Sequence, residues 1–500
     1  MDVGSAYNTS VPVQATDVWK EGFQISPLKL EEAGRLRRDV LELYLGNMRY
    51  RDFIYGDLMS QIGSVKTGRK RVLEMVDKWG IPKLKRFSHE VIDYADRRTR
   101  DEIAQFPDGT YTGESWVDND GTGITNIAIR CTMEIKGSDI SIDFTGTDPQ
   151  VPGGVNASWA TCQNAASTPI LCCLDPDIPH NQGCLKHITV SAPKGTIANV
   201  EWPGATADAT IVPSDSISDA VWKCLAQAIP AKAVAGFGHI SPNAVSCGYD
   251  RRTPGEKHPW SAIIFNGSSG GGACKEFDGW PLMYTPGTVG GLKFVPIEVL
   301  ELHYTLLVFE HEVRPDSMGA GRTRGGPGLT FRLQVRGGGR VDNYPYGDGI
   351  DNPPFGVFGG KQGDGGTIYR ENADGTRAFF SGIGYFRVDE GEAWAAISTG
   401  GGGYGDPLER DPLLVQTDVK DGFVSLRSAL EDYGVVLDAK TLKIDVEDTA
   451  RQREQIATTR TLQLIEPTTP GAGTYMRKIM RESDTYELNP QPPSNADSTL

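Results

Sequence analysis

Three features of this 500-residue chain could do chemistry by residue type and spacing: a glycine run, scattered histidines and a set of polar loops. Gly400, Gly402 and Gly405 have the G-x-G-x-x-G spacing of a dinucleotide-binding loop. Such a loop follows a strand, opens directly into a helix and leads to a second strand that ends in an acidic residue. Here Asp406 and Pro407 follow at once, and the next segment has a helical pattern. The run therefore indicates a glycine-rich connection with close backbone contacts.

Neither the histidines nor the serines form a local catalytic motif. The seven histidines lack the H-E-x-x-H, H-x-x-D and H-x-H spacings of metal sites; they are His89, His180, His187, His239, His258, His303 and His311. Ser268 and Ser269 lie between Gly267 and Gly270, which is the wrong spacing for the G-x-S-x-G turn of a nucleophilic serine. Local sequence thus predicts neither a metal site nor a serine hydrolase.

Polar residues on tight loops are the strongest remaining candidates. One loop, "IDFTGTDPQVPGGVNAS", contains Asp143 and Asn156, and Asn181 lies in the loop "DPDIPHNQG". A third loop, "HEVRPDSMGAGRTRGG", contains Arg314 and Asp316, followed by Arg322 and Arg324. Arginines on glycine loops can bind a carboxylate or a phosphate through two parallel hydrogen bonds. A structural ion pair across the turn is the alternative.

Composition limits the class of protein. The net charge of -15 argues against nucleic-acid partners, because phosphate backbones are bound by clustered Lys and Arg. No apolar run is long enough to span a bilayer, and the N-terminus lacks the pattern of a signal peptide. We therefore expect a cytoplasmic protein. The eight cysteines form no C-x-x-C pair, which favours reduced, mostly buried thiols.

The elements that must position these residues follow from the spacing of apolar side chains. Leu58, Ile62, Val65, Val72, Val76 and Trp79 predict one face of a helix that ends near Gly80, and Leu84, Phe87, Val91 and Tyr94 predict a second helix opened by Pro82. Period-two alternation from Gly109 to Phe144 predicts a three-stranded antiparallel meander. Further helices are expected from Asn156 and from Ser214, where Ser214 or Asp215 is the predicted N-cap.

We predict an α+β fold, with the N-terminal helical hairpin and β meander followed by a glycine-rich mixed α/β region and a C-terminal helical segment. The predicted regions are 1–108, an extended segment and the hairpin; 109–235, α+β; 236–407, glycine-rich and dominated by strands; 408–465, helical; and 466–500, a partly disordered tail. The 60 glycines suggest turns with positive φ and close backbone approach.

Several blocks of the chain together resemble the hydantoinase B/oxoprolinase family, whose members are B-type subunits or domains of ATP-dependent cyclic-amide hydrolases. The similar blocks occur in the family's order and span residues 2–437: "ATDVWKEGFQISPLKL" from Ala15, "IDFTGTDPQVPGGVNAS", "IPHNQGCLKHITVSAPKGTI", "PIEVLE" from Pro296, "VRPDSMGAGRTRGGPGL" and "GGGGYGDPLERDPLLVQTDVKDGFVS". The glycine run is similar to the C-terminal signature of the family.

The resemblance implies a heteromeric enzyme in which an A-type partner uses ATP to phosphorylate the carbonyl oxygen of a hydantoin, 5-oxoproline or lactam. The B-type subunit then completes hydrolysis. Acetone and acetophenone carboxylases resemble the same family, so an ATP-dependent ketone carboxylase is one alternative, and a noncatalytic scaffold is another. Within this framework we predict Asp143 and Asn181 as catalytic residues and Asn156, Arg314 and Asp316 as substrate-binding residues.

One departure from the family concerns the metal. The family's divalent-metal ligands lie near its N-terminus in an H-x-x-D element and a following His-rich element that ends in Asp-Ile-Gly. Here Asp2-Val3-Gly4 resembles only the end of the second element. We therefore expect that this chain is an N-terminally shortened form or that another chain supplies the ligands, and we predict no metal ligand in this chain.

Overall fold

The computed structural model describes residues 2–5, 11–12, 14–239, 243–283, 293–465 and 474–487. Its N-terminal part contains four helices and one small hairpin: α1 (Val18–Glu21), β1 (Glu31–Glu32), β2 (Arg35–Leu36), α2 (Arg38–Leu45), α3 (Arg51–Trp79) and α4 (Ile81–Ile103). The predicted helical hairpin is confirmed. Gly80 joins α3 to α4 with a φ of 74°, a conformation that favours glycine.

The apolar stripe predicted for the hairpin is only partly used to pack its two helices. Trp79 contacts Phe87 edge-on, with ring centroids 6.0 Å apart. Val65 and Val72, which belong to the same predicted stripe, are 73% and 53% exposed. The spacing predicted the helix correctly, but helical periodicity does not reveal whether the apolar face has a partner within the chain.

The predicted meander forms β3 (Gly109–Asn119), β4 (Thr125–Lys136) and β5 (Asp139–Asp143), and β6 (Ile188–Ser191) adds to β5 in parallel. Two helices pack against this first sheet, α5 (Trp159–Cys172) and α6 (Val212–Ala228). The predicted N-cap of α6 is wrong. The helix begins two residues before Ser214, with Pro213 in its first turn, where the missing N–H of proline costs nothing.

Strands dominate the glycine-rich region, as predicted. The elements are β7 (Asn243–Asp250), β8 (His258–Ile264), α7 (Ile297–His303), β9 (Leu306–Val313), β10 (Leu329–Val335), β11 (Arg340–Tyr346), β12 (Thr367–Glu371), β13 (Arg377–Phe380), β14 (Phe386–Asp389) and β15 (Ala393–Ile397). One sheet has the order β14-β11-β7-β8; the other, which includes β16 (Thr485–Glu487), has the order β16-β13-β12-β15-β10-β9.

The predicted C-terminal helical segment forms α8 (Pro412–Lys420), α9 (Leu426–Glu431) and α10 (Val446–Thr459). Part of the expected tail is ordered: α11 (Thr474–Ile479) is followed by β16 (Thr485–Glu487), which pairs in parallel with β13. The proline-rich end of the tail, residues 489–500, lies outside the described residues.

Glycines of the strand-rich region form a close-packed layer that is neither helix nor regular strand. This glycine layer comprises residues 268–273, 319–326, 354–363 and 400–404, joined by backbone hydrogen bonds. Gly401 N–H donates to Gly326, and Gly326 N–H to Gly271, at 2.9 and 2.8 Å. A Cβ at Gly402 would lie 1.9 Å from the carbonyl oxygen of Phe355. The predicted close backbone contacts at the glycine run are therefore confirmed.

The α+β fold class is confirmed by these mixed and antiparallel sheets with their covering helices. One hydrophobic cluster is built from buried side chains scattered along the chain between Ala95 and Tyr404. It includes Trp222 of α6 and Phe355 of the glycine layer. It therefore extends across the predicted boundary between residues 235 and 236. Of the helices in the described part of the chain, none combines the length and apolar character needed to cross a membrane.

Candidate functional site

A cavity of about 530 Å³ opens where β8, the start of α3 and the end of α7 meet. This volume is in the range of small-molecule sites. Aromatic and acid–base side chains line it: Asp2, Tyr50, Phe53, Asp57, Asp250, His258, Pro259, Trp260, Ser261, His303 and Tyr304. A mixed lining of rings and titratable groups is typical of sites that hold a planar ligand and exchange protons with it.

Backbone N–H groups fix Asp2 at the cavity wall. Its Oδ1 accepts from Gly4 N–H at 3.0 Å, and its Oδ2 accepts from the N–H groups of Arg49 and Tyr50. The side chain of Asp2 is buried, and Arg49 forms an ion pair with it at 3.7 Å. Asp2 therefore anchors the N-terminal segment to the start of α3.

His258 and Asp250 face each other across the β7–β8 hairpin, where they form a register pair. Glu256 Oε2 lies 2.6 Å from His258 Nε2, so a carboxylate orients the imidazole. Hydrogen bonds from Arg252 hold the pKa of Asp250 below its ordinary value. The cavity thus has an oriented imidazole next to a carboxylate that stays ionised.

Aromatic side chains close the other walls. Trp260 donates its indole N–H to Thr305 Oγ1 at 3.2 Å, and the ring of Tyr304 lies 5.1 Å from that of Trp260. Tyr50 donates its hydroxyl to the carbonyl oxygen of Trp260. Burial raises the pKa of Tyr304. These contacts hold the rings in place as a preformed apolar surface.

A second group of titratable side chains is fully buried beneath the glycine layer. His239 lies between two carboxylates, with Nε2 2.8 Å from Asp219 and Nδ1 3.2 Å from Asp348. Burial opposes the imidazolium, but attraction and hydrogen bonding to both aspartates raise the pKa of His239 well above its ordinary value. Because this His239 cluster is closed to solvent, it fits a structural proton-holding role better than substrate binding.

Asp208 adds a carboxyl group near this cluster that has no hydrogen-bond partner in the described part of the chain. Burial, together with repulsion from Asp348 and Asp215, raises the pKa of Asp208 well above 3.8. The hydroxyl of Tyr346 is similarly buried without a partner in the same described ranges, and burial raises its pKa as well. Both groups therefore favour their neutral forms.

Three of the residues predicted from the sequence lie around the first sheet. Asp143, at the end of β5, accepts from Ser191 Oγ at 2.7 Å. Asn156 is fully buried; it accepts from Val151 N–H and donates to three backbone carbonyls. Asn181 accepts from Gly183 N–H at 2.8 Å and begins a short 3₁₀ turn. Each side chain holds a local loop or strand pair.

The other two predicted residues lie beside the glycine layer. Buried Arg314 donates to the carbonyl oxygens of Gly365 and Ser398, pairs with Asp364 at 3.2 Å and lies over the Tyr475 ring. Asp316 has a φ of 56° and accepts from Ser425 N–H. No hydrogen bond in the described ranges joins any two of the five predicted residues, and none of the five lines the cavity. Their catalytic and binding roles stay predictions.

The other two arginines of the third loop have structural contacts. Arg322 donates to the carbonyl oxygen of Lys275. Arg324 pairs with Asp418 of α8 at 2.8 Å, and fully buried Arg410 pairs with the same carboxylate and with Asp278. The ion pair of Arg324 is therefore structural, but it joins the loop to a residue 94 positions further along the chain and not across the turn. It fastens the C-terminal helices to the glycine layer.

Sequence reasoning missed the cavity and the His239 cluster. A predicted hairpin over residues 243–264 would have placed Asp250 opposite His258, because cross-strand pairs follow from register. No such signal exists for His239, since its partners Asp219 and Asp348 lie 20 and 109 residues away along the chain.

Comparison with known proteins decides the family. The family model described as "Hydantoinase B/oxoprolinase" matches residues 1–407. The chain belongs to the hydantoinase B/oxoprolinase family. It is 30% identical to caprolactamase subunit beta of Pseudomonas jessenii over 87% of this chain and 75% of that protein. It is 25% identical to the acetophenone carboxylase delta subunit of Aromatoleum aromaticum, over 90% and 71% of the two chains.

The fold of this family member is also that of a solved relative. The crystal structure of the ATP-dependent caprolactamase from Pseudomonas jessenii matches it with a TM-score of 0.82 and 29% identity, covering 91% of this chain and 78% of that chain. The sequence comparison and the fold comparison therefore point to the same relative.

The divalent metal that the family resemblance implies does not fit the described residues. No group of three or more His, Cys, Asp or Glu side chains among them is arranged to hold a metal ion. Asp2, which matches the end of the family's metal-binding element, uses both carboxylate oxygens to accept backbone N–H groups. The described residues therefore supply no set of ligands for that metal.

Proposed function

We propose that this chain is the B-type subunit of an ATP-dependent hydrolase of cyclic amides such as a hydantoin, 5-oxoproline or a lactam. The observation that carries the proposal is the similarity to the caprolactamase of Pseudomonas jessenii in sequence and in fold, over about nine tenths of the chain. The second candidate is a subunit of an ATP-dependent ketone carboxylase. It is supported by the 25% identity to the acetophenone carboxylase delta subunit, which is lower than the 30% identity to caprolactamase subunit beta.

The chemistry explains why two subunits and ATP would be needed. Resonance makes a cyclic amide a poor electrophile, so water attacks its carbonyl carbon slowly. Phosphorylation of the carbonyl oxygen by an A-type partner converts that oxygen into part of a leaving group. Water can then add to the carbon, and the ring C–N bond breaks once the nitrogen is protonated, which leaves an acyl phosphate. A second water hydrolyses this acyl phosphate to the carboxylate and inorganic phosphate. The B-type subunit has to bind the activated ring and move these protons.

The cavity offers groups for both tasks. Tyr50, Trp260 and Tyr304 provide apolar ring surfaces that can hold a planar amide and exclude bulk water. His258 is the group we assign as general base for the attacking water, because Glu256 orients its imidazole and the ring borders the cavity. Glu256 acts as a positioning residue through His258.

The test of the reaction uses the chain copurified with its cellular partner. ATP hydrolysis by the complex is measured with hydantoin, 5-oxoproline and lactams, and separately with ketones plus bicarbonate. Stimulation by a cyclic amide, with ring opening, is the expected result. Stimulation only by ketones plus bicarbonate would support the carboxylase, and a complex without turnover would support the scaffold. Full-rate ring opening by the chain alone without ATP would exclude the proposed division of labour.

We predict that His258→Gln lowers kcat of the complex by about 100-fold, because a positioned base contributes roughly 10²–10⁴-fold. KM for the cyclic amide should change less, since the aromatic walls remain. His180→Gln, at an exposed loop position outside the cavity, is the matched control and should keep full activity. If the His258→Gln variant has the wild-type kcat, His258 is not the general base.

A further inference from the structure

The outer part of the α3–α4 hairpin projects from the protein as an arm, residues 63–91. None of these residues is buried; Val76, Trp79, Leu84 and Phe87 are partly buried, and the rings of Trp79 and Phe87 contact each other between the two helices. The arm consists of residues 63–79 of α3 and 81–91 of α4, which extend roughly 25 Å and 16 Å at about 1.5 Å per residue. The arm therefore presents two helix faces that nothing in the described ranges covers.

These faces carry large apolar side chains that are exposed to solvent. Val65, Val72 and Ile81 are 73%, 53% and 56% exposed, and Leu73 and Val91 are 42% and 48% exposed. Exposed apolar groups in one region are typical of an interaction surface.

The arm is also basic in an acidic protein. It contains eight Lys and Arg but only Glu74, Asp77 and Glu90 as acids, a net charge of +5, so the rest of the chain, with a total of -15, carries -20. The side chains of Arg69, Lys70 and Lys85 take part in no ion pair or hydrogen bond among the described residues. Their charges are therefore available to a partner.

A complementary surface lies on α7 and β9, which we call the α7–β9 face. Val299, Leu302 and Phe309 are 41%, 68% and 52% exposed there. Residues 293–313 contain four glutamates and one lysine, and Glu298 and Glu312 are exposed. β9 is an end strand of its sheet, and Glu301 of α7 accepts the N–H of Val308 at 2.9 Å, so helix and strand form one surface.

We propose that the arm of one copy of this chain docks on the α7–β9 face of a second copy. The exposed apolar side chains of the arm would pack against those of the α7–β9 face, and the Lys and Arg side chains of the arm would pair with the glutamates of that face. Each copy has both surfaces, so two reciprocal contacts close a twofold dimer. A nucleic acid or an anionic membrane would attract the arm, but the -20 charge of the rest of the chain would repel it.

The proposal is tested on the full-length chain by sedimentation equilibrium. Arg69→Glu/Lys70→Glu/Lys85→Glu reverses three charges that have no ion-pair partner within the described ranges. It should raise the dimer dissociation constant at least 10-fold, and high salt should weaken the wild-type dimer. Lys136→Glu/Lys194→Glu/Lys440→Glu changes the net charge equally at exposed positions elsewhere and should leave the dimer intact.

Charge exchange gives the decisive result. Adding Glu298→Lys and Glu312→Lys to the arm variant should restore most of the lost affinity, because the attraction is re-formed with opposite signs. A monomeric wild-type chain at all concentrations would overturn the proposal. So would an arm variant that dimerises normally but no longer binds the copurified partner, or absence of rescue in variants whose circular dichroism shows an intact fold. The dimerisation measurements do not depend on which reaction the complex catalyses, so the dimer proposal and the proposed function can fail separately.

Discussion

At the scale of single residues, the chain separates buried titratable groups from those that reach the cavity. His258 borders the cavity and is oriented by Glu256, whereas His239 is enclosed between Asp219 and Asp348. Both histidines contact carboxylates, but only the first can meet a ligand without local opening. The difference matters for function because a general base has to reach the proton that it accepts.

The carboxyl of Asp208, which has no hydrogen-bond partner among the described residues, leads to a prediction about pH. Burial and nearby carboxylates raise its pKa in the folded chain, so its contribution to stability is fully present below its unfolded pKa and is lost as pH rises through the folded value. Asp208→Asn removes this loss. We expect the variant to gain free energy of unfolding relative to wild type as pH rises from 5 to 8, by at most about 1.4 kcal/mol per pH unit.

Denaturant unfolding at the two pH values measures this gain. Glu134→Gln, an exposed acid-to-amide change, is the control. A wild-type-to-variant difference that is equal at pH 5 and pH 8 would show that Asp208 is not the buried, neutralised group described above.

At the scale of elements, the glycine layer explains the glycine content of the strand-rich half. Gly400, Gly401 and Gly402 have no positive φ, but a Cβ at each would come within 2.0 Å of a backbone oxygen. The space occupied by neighbouring backbone, and not turn geometry, requires glycine there. Gly405, with a φ of 75°, is the turn residue of the run.

We predict opposite effects for two glycine-to-alanine changes. Gly401→Ala should lower the free energy of unfolding by roughly 3 kcal/mol, because its Cβ would overlap the carbonyl oxygen of Gly271. Gly63→Ala should raise it by roughly 0.5–1 kcal/mol, since this helical position has open space around it. Thermal and urea unfolding measure both, and a neutral Gly401→Ala variant would contradict the packing shown for the layer.

At the scale of the whole molecule, one core connects regions that the sequence divided. α6 is buried along nearly its whole length, with the first sheet on one side and residues of the strand-rich half within the same cluster. Such sharing couples the stability of residues 109–235 to that of residues 236–407.

We therefore predict that these two regions unfold together. Circular dichroism and tryptophan fluorescence should report coincident transitions, and a fragment of residues 1–235 should not fold, because the partners of α6 would be missing. Separate transitions, or a folded fragment with native-like amide protection, would instead support independent domains.

The local chain determined much of the secondary structure. The two hairpin helices, the meander and α5 follow from apolar period and turn residues, which act within a few positions along the chain. The blocks of family similarity also needed only the sequence, and they indicated the family that the comparisons establish. The glycine run was correctly interpreted as close backbone contact, because the residues after Gly405 exclude a nucleotide loop.

Only the tertiary structure decided which side chains meet. Asn156 and Arg314 carry polar groups on loops, yet folding places carbonyls around both, while His258, Trp260 and Tyr304 come together from separate elements to line the cavity. The physical reason is distance along the chain: periodicity and turn chemistry act over a few residues, whereas a cavity or a buried ion pair depends on the packing of segments that can be more than a hundred residues apart.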